Sequence, residues 1–303
     1  MEFIFTAHFL TVSIDQKYHE DEEMLKIVRL KLTVLVVTLI LINPLNAAPR
    51  VVVSLPELHS LVAALMQGTA EPILLFQNES DMAGDLDPFQ TSGLLSADLV
   101  IWVGSGLEKS VGYALDKFPP IADHFMTLSN TLPLLLKRGY EEIGDQRQIS
   151  RDLHFWSDPR IAIMAVKQIT PLLVRIDPDN TERYLDNEIA LLKRIKKVEQ
   201  EISKQLAPIG AVSSKIANTF DPYFIHRFIR EIKPDGSSNE GLQKVSNHPL
   251  KTCRQGEITS PSPGPDLYFQ TLLTHAKHLD QCVNSRHRIK NRVEVRNNRY
   301  QRS

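Results

Sequence analysis

The sequence predicts an α/β fold in which short parallel strands alternate with helices, and three observations carry that prediction. Short β-branched or apolar runs recur with helical stretches between them. Turn and helix-start signals separate the runs. One long amphipathic segment, over residues 177–206, is suited to connecting two lobes. Alternating β and α units imply a parallel sheet, and in such sheets ligands bind outside the carboxyl ends of the strands.

The first strand is read at Arg50-Val51-Val52-Val53-Ser54-Leu55. Pro56-Glu57-Leu58-His59 then turns into a helix over Ser60 to Met66, which Gly68 ends. Pro72 to Phe76 is read as the second strand and Ala97 to Gly104 as the third. Asp158 to Arg175 is helical in pattern, with Pro171 expected to kink or end part of it. Asp177 reads as a helix N-cap followed by Pro178 at the first position. From there Leu185, Ile189, Leu192, Ile195, Val198, Ile202 and Leu206 recur at three and four. That predicts a helix of about 28 residues, roughly 42 Å long. Lys215 to Phe220 is read as a further strand. Residues 234–265, rich in Pro, Gly, Ser and Asn, are read as loop or disordered linker. Asp266 to Val283 is helical again. Residues 284–303, with seven Arg or Lys and one Glu, are read as a disordered basic tail.

Composition narrows the function. The chain has 303 residues, 42% of them hydrophobic and 23% charged, a globular balance with room for one large domain or two ordinary ones. The formal net charge of −1 does not describe a polyanion binder, so no nucleic-acid partner is expected. Cys253 and Cys282 allow one disulfide and form no CxxC motif. No Gly-rich phosphate loop, GxSxG elbow or HExxH pair occurs, and Gly104-Ser105-Gly106 lacks the third glycine of a dinucleotide site. A binding protein is therefore expected rather than an enzyme.

The N-terminal region carries an export signal. Leu32 to Ile42 is an uncharged, mostly apolar run of eleven residues after Lys26, Arg29 and Lys31. Asn43-Pro44-Leu45-Asn46-Ala47-Ala48 then breaks the helix and offers small residues for cleavage. The run is short for a membrane span, which needs roughly 20 residues. The acidic run Glu20-Asp21-Glu22-Glu23 does not belong in such a signal, which places the translation start at Met24 and the signal peptide at 24–47. Export brings an oxidising compartment in which a disulfide is stable.

One segment reads as a ligand site. Asp152-Leu153-His154-Phe155-Trp156-Ser157-Asp158-Pro159 sets a histidine and two carboxylates around a tryptophan just before a helix. Histidine is the commonest metal ligand, and a carboxylate beside it orients its second nitrogen.

Four segments in order and spacing resemble the periplasmic zinc- and manganese-binding solute-binding proteins of ABC importers. They are Leu55 to Val62, Ser96 to Glu108, Asp152 to Pro159, which is similar to an Asp-Pro-His-x-Trp-x-Asp-Pro motif, and Gly264 to Gln270. The resemblance implies two α/β lobes with parallel sheets joined by one long helix, with metal held between them. It divides the chain into an N-terminal metal-binding lobe (48–176), a connecting helix (177–206), a shortened C-terminal lobe (207–283) and the basic tail (284–303). It implies Zn2+ as the cargo, with Mn2+ as the second candidate, and an ABC permease with its ATPase as partners of a monomeric protein.

By that resemblance His154 stands at the family's middle histidine ligand. The two other histidine positions are substituted: Met82 follows Asp81, and Phe220 precedes Asp221. His59, Asp81, Asp221 and His226 are the groups left to complete a rearranged site. Only 44 residues separate Asp221 from Asp266, far fewer than in the family, so the second lobe is expected to be truncated. Cys282 falls where the family has a disulfide-forming cysteine, with Cys253 as the available partner. An exported paralogue that no longer binds metal is the alternative function.

Overall fold

The computed structural model describes residues 26, 29–33, 48–78, 81–82, 84–135, 141–143, 146–148, 151–234 and 263–300, with the backbone alone at 120–122, 141–143, 146–148 and 284–300. Most of Leu32–Ile42, all but the ends of 234–265, and Cys253 lie outside the described residues, and so do those expectations. The chain divides into two compact units, Met1–Ala47 and Ala48–Ser303. In the first, residues 29–33 are helical and the Thr33 hydroxyl donates to the Arg29 carbonyl at 2.8 Å. Among the described residues no helix is long and apolar enough to cross a membrane.

The second unit is built on a four-stranded parallel sheet. β1 (Val51–Val53), β2 (Ile73–Leu74), β3 (Leu99–Trp102) and β4 (Phe125–Thr127) lie in the order β2-β1-β3-β4. Val52 pairs with Ile73 on one side and Val100 on the other, and Ile101 pairs with Met126. β1 and β3 are buried along their whole length, as continuous apolar runs in a parallel sheet must be. The strand order reverses between β1 and β3, which makes their carboxyl ends the switch point where a crevice opens.

Helices cover the sheet. They are α1 (Pro56–Leu65), α2 (Pro88–Leu95), α3 (Lys109–Lys117), α4 (Pro159–Ile176) and α5 (Thr181–Leu206). Asp87 and Gln90 form a reciprocal capping box at α2, at 2.7 and 2.9 Å. α4 and α5 pack as a hairpin, and both touch α1. After α5 come β7 (Ala211–Ser213), α6 (Ser214–Ala217), α7 (Pro222–Phe228) and β8 (Glu231–Lys233), and then α8 (Leu267–Tyr300). β5 (Glu141–Ile143) and β6 (Gln146–Gln148) form an antiparallel hairpin ahead of α4. β7 and β8 pair in parallel as a two-stranded sheet. Among the described residues these two strands are the whole sheet of the second lobe, in keeping with its truncation. The face of α8 formed by Tyr268, Leu272, Ala276 and Leu279 is buried, and the helix packs on α1 and α5. At its start Arg194 lies over the Phe269 ring at 3.7 Å and pairs with Asp266 at 2.6 Å.

The structure corrects several local expectations. The first helix begins at Pro56 rather than Ser60, because proline at the first position suits a helix start. Residues 215–220 are not a strand. The strand is Ala211–Ser213, and Ser213 then caps α6 by accepting from the Ile216 N–H. Asp177 does not cap the long helix, since a 3-10 turn (Pro178–Asn180) intervenes. Its carboxylate instead accepts from Asn180 Nδ2 and from the Tyr184 hydroxyl at 2.7 Å. α4 runs on through Pro171, whose missing N–H would have reached exposed Lys167, where water can serve that carbonyl. The apolar stripe of α5 is misread at its start: Leu185 and Ile189 are exposed, while Tyr184 and Leu191 face the core. The expected disordered tail is helical in backbone as far as Tyr300.

Candidate metal site

At the switch point the crevice is filled from within. Glu108 is fully buried and accepts from the Ser54 hydroxyl, from the Val103 N–H at 3.1 Å and from the Gly104 N–H at 2.7 Å. Burial pushes its carboxyl above the ordinary range, and those donors pull it back. Gly104 holds a positive φ of 147°, and a Cβ there would stand 2.5 Å from Ser129 Oγ, so only glycine fits this turn. Glu108 thus ties the end of β1 to the end of β3, and Leu153 of the ligand segment packs against the same loop, 3.0 Å from where a Cβ on Gly106 would stand.

There, residues 151–154 run beside the chain that leaves β4. Arg151 Nη1 donates to the Leu134 carbonyl at 2.7 Å, and Asp152 N–H to that of Leu135 at 2.8 Å. Asp152 Oδ1 accepts both the backbone N–H and Nδ1 of His154, each at 2.9 Å. A carboxylate acceptor at Nδ1 fixes the tautomer: Nδ1 carries the hydrogen and Nε2 of the neutral ring keeps its lone pair. The His154 ring packs edge-on against Trp156 with centroids 5.3 Å apart, and its side chain is 33% exposed, so solvent reaches it.

Asp221 approaches from α7, where it is the N-cap and accepts from the Tyr223 N–H at 2.8 Å and the Phe224 N–H at 3.2 Å. Burial pushes its carboxyl up to about 6. The Phe224 N–H opposes that rise, the negative Asp152 adds to it, and His154 lowers it. α7 is held to α5 by Arg227 Nε, which donates to Glu199 at 2.6 Å. The Tyr223 hydroxyl donates to the Asp152 carbonyl at 2.6 Å, and burial pushes this phenol up to about 12.

The structure pairs His154 with Asp152, and Asp221 is linked to their strap through Tyr223, which donates its N–H to Asp221 and its hydroxyl to the Asp152 carbonyl. The other candidates lie elsewhere. His59 is buried in α1, with Nε2 2.9 Å from the Pro72 carbonyl before β2. Asp81 is exposed in a 3-10 turn, and His226 is exposed on α7. Asp158 faces away into α4, where it caps the Arg160 N–H and pairs with the Arg160 guanidinium at 2.9 Å. Met82 and Phe220, at the substituted histidine positions, are both buried in the core. Among the described residues no three His, Cys, Asp or Glu side chains close into a metal cage. Two groups escaped the sequence reading. Glu108 carries no signal beyond a Gly-Ser-Gly-Leu-Glu run after a strand, and the Tyr223 hydroxyl reaches a partner 71 residues away.

A family model described as "zinc-uptake complex component A, periplasmic" matches residues 51–228. The high-affinity zinc uptake system protein ZnuA of Brucella abortus (strain 2308) is 24% identical over 215 residues, covering 59% of this chain and 64% of its own length. The match thus spans less than two thirds of that relative. The protein of the same name from Yersinia pestis is 26% identical over 220 residues, covering 66% of this chain and 69% of its own. A crystal structure of ZnuA superposes with a TM-score of 0.50 at 20% identity, covering 62% of this chain and 71% of that one. The superposition supports the two-lobed α/β fold.

Proposed function

The chain belongs to the family of periplasmic zinc-uptake complex component A proteins, and from that premise we propose that it is a periplasmic solute-binding protein that captures a divalent metal ion, zinc before manganese, for an ABC importer. Its work is capture and release, not catalysis. The observation that carries this reading is the Asp152–His154 pair, in which the carboxylate takes Nδ1 and so leaves Nε2 as the nitrogen that would bind an ion. Zn2+ takes imidazole nitrogen and carboxylate oxygen together, and carboxylate oxygen also admits Mn2+. With Met82 and Phe220 in the core, one imidazole and carboxylate oxygens are the donors, and water completes the shell.

The same reading supplies the partners and the route. The ion passes to a membrane permease driven by its ATPase, and the binding protein works as a monomer. Residues 24–47 act as a cleaved signal peptide, on the strength of the basic flank Lys26, Arg29 and Lys31 before the apolar run. The lobes are 48–176 and a shortened 207–283, with 177–206 between them.

A second reading, an exported paralogue without metal affinity, is favoured by the two buried replacements and by the lack of a three-donor cage among the described residues. Calorimetric titration with zinc and then manganese separates the two, with His154→Ala as control. Saturable binding that His154→Ala abolishes supports metal capture. A folded protein that takes up neither ion leaves the second reading.

A further inference from the structure

Tyr223 is fully buried, and its two ends hold the two halves of the site. At the ring end, the hydroxyl donates to the Asp152 carbonyl at 2.6 Å and accepts from the Leu135 N–H at 2.9 Å. The Asp152 N–H donates to the Leu135 carbonyl at 2.8 Å, so three bonds close a ring through Leu135, Asp152 and Tyr223. At the backbone end, the Tyr223 N–H donates to the Asp221 carboxylate at 2.8 Å. One residue therefore touches both the segment from which His154 projects and the Asp221 carboxylate. Aromatic packing needs only the ring. The hydroxyl spends both of its hydrogen bonds on the main chain of the strap that carries His154.

We propose that Tyr223 is the positioning residue of the metal site: its hydroxyl fixes the strap that carries the Asp152–His154 pair, and so the affinity for the ion, without touching the ion. The proposal rests on the metal-capture reading of His154. Outer partners that orient ligands typically govern metal affinity by 10- to 100-fold, because a donor that must be ordered at the moment of binding binds more weakly.

The test removes one oxygen at a time from the full chain. Tyr223→Phe keeps the ring and deletes the hydroxyl. Tyr184→Phe is the matched control: its buried hydroxyl bonds Asp177 at 2.7 Å, at the far end of α4, a helix of 18 residues, about 27 Å long. Tyr223→Phe loses both bonds of its hydroxyl and Tyr184→Phe the bond to Asp177, so both variants remove buried hydrogen bonding. Zinc affinity is read by competition with a chromogenic chelator, alongside thermal midpoints and His154→Ala. The proposal expects zinc to bind Tyr223→Phe at least tenfold more weakly and Tyr184→Phe like the wild type, with both variants folded at the temperature of the titration. Without metal, it expects the Nδ1–H proton resonance of His154 to shift in Tyr223→Phe alone. Wild-type affinity in Tyr223→Phe overturns the proposal, and so does equal weakening in Tyr184→Phe. If wild type binds zinc and His154→Ala does not, either of those results removes Tyr223's role and leaves the capture reading standing. If wild type takes no zinc, or His154→Ala binds as well as wild type, the capture reading falls and the proposal with it.

Discussion

Nδ1 of His154 lies 2.9 Å from Oδ1 of Asp152, and the same oxygen receives the His154 backbone N–H. The aspartate thus orients the ring and fixes its tautomer with one atom, two residues away in sequence. Asp152→Ala removes both bonds while leaving the imidazole in place. Zinc affinity is expected to fall by about 10- to 100-fold. Metal titration gives the affinity, and nitrogen NMR of the histidine ring should show both tautomers in the variant. Unchanged affinity would show that Asp152 does not orient the ligand.

Glu108 tests the frame on which the site is carried. Its carboxylate holds the Ser54 hydroxyl and the N–H groups of Val103 and Gly104 at the switch point. Glu108→Ala strands these donors in the interior and should cost about 2–4 kcal/mol. Chemical denaturation measures it. A loss below about 0.5 kcal/mol would mean that water replaces the carboxylate at no cost.

Two buried groups shape the response of the metal-free protein to pH, with opposite signs. Burial lowers His275 to about 4, with the positive charge of His278 adding to the effect, and the ring packs edge-on against Phe224. Its folded pKa lies below the unfolded value of 6.5, so the unfolded chain binds more protons in between. Stability from this group is complete above 6.5 and is lost as pH falls toward 4. Asp221 runs the other way, raised from 3.8 to about 6, so the folded state holds the extra proton and stability falls as pH rises from about 4 to 6. Each effect is at most about 3 kcal/mol. Together they should nearly cancel between pH 4 and 6. His275→Leu exposes the Asp221 slope: its stability should decline from pH 4 to 6. Asp221→Asn, which still caps α7, exposes the opposite slope. Denaturation midpoints from pH 4 to 7 give both curves, and parallel curves for wild type and variants would refute the assignment.

Much of this fold was legible because its determinants are local. The strands β1 and β3 are runs of Val, Ile and Leu buried on both faces, and the long helix shows its periodicity over seven turns. His154 was legible because its orienting carboxylate is a near neighbour in the sequence. What escaped depends on distance or on competing local chemistry. Lys215 to Phe220 reads as a strand by residue type, yet the Ser213 cap starts a helix there. Leu185 and Ile189 fit the apolar period, but no described element covers that side of α5. Tyr223 and Glu108 act through main-chain partners set by tertiary folding, and no spacing rule reports those.

The central claim is that one imidazole, that of His154, anchors a divalent ion among carboxylate and water oxygens. The most direct measurement is zinc-edge X-ray absorption on the full chain loaded with one equivalent of zinc, beside His154→Ala treated in the same way. The account predicts nitrogen and oxygen neighbours at about 2.0–2.2 Å, the outer-shell scattering of a single imidazole, and loss of that scattering in His154→Ala. Two or more imidazoles, a sulfur neighbour, or an identical spectrum from the variant would contradict it.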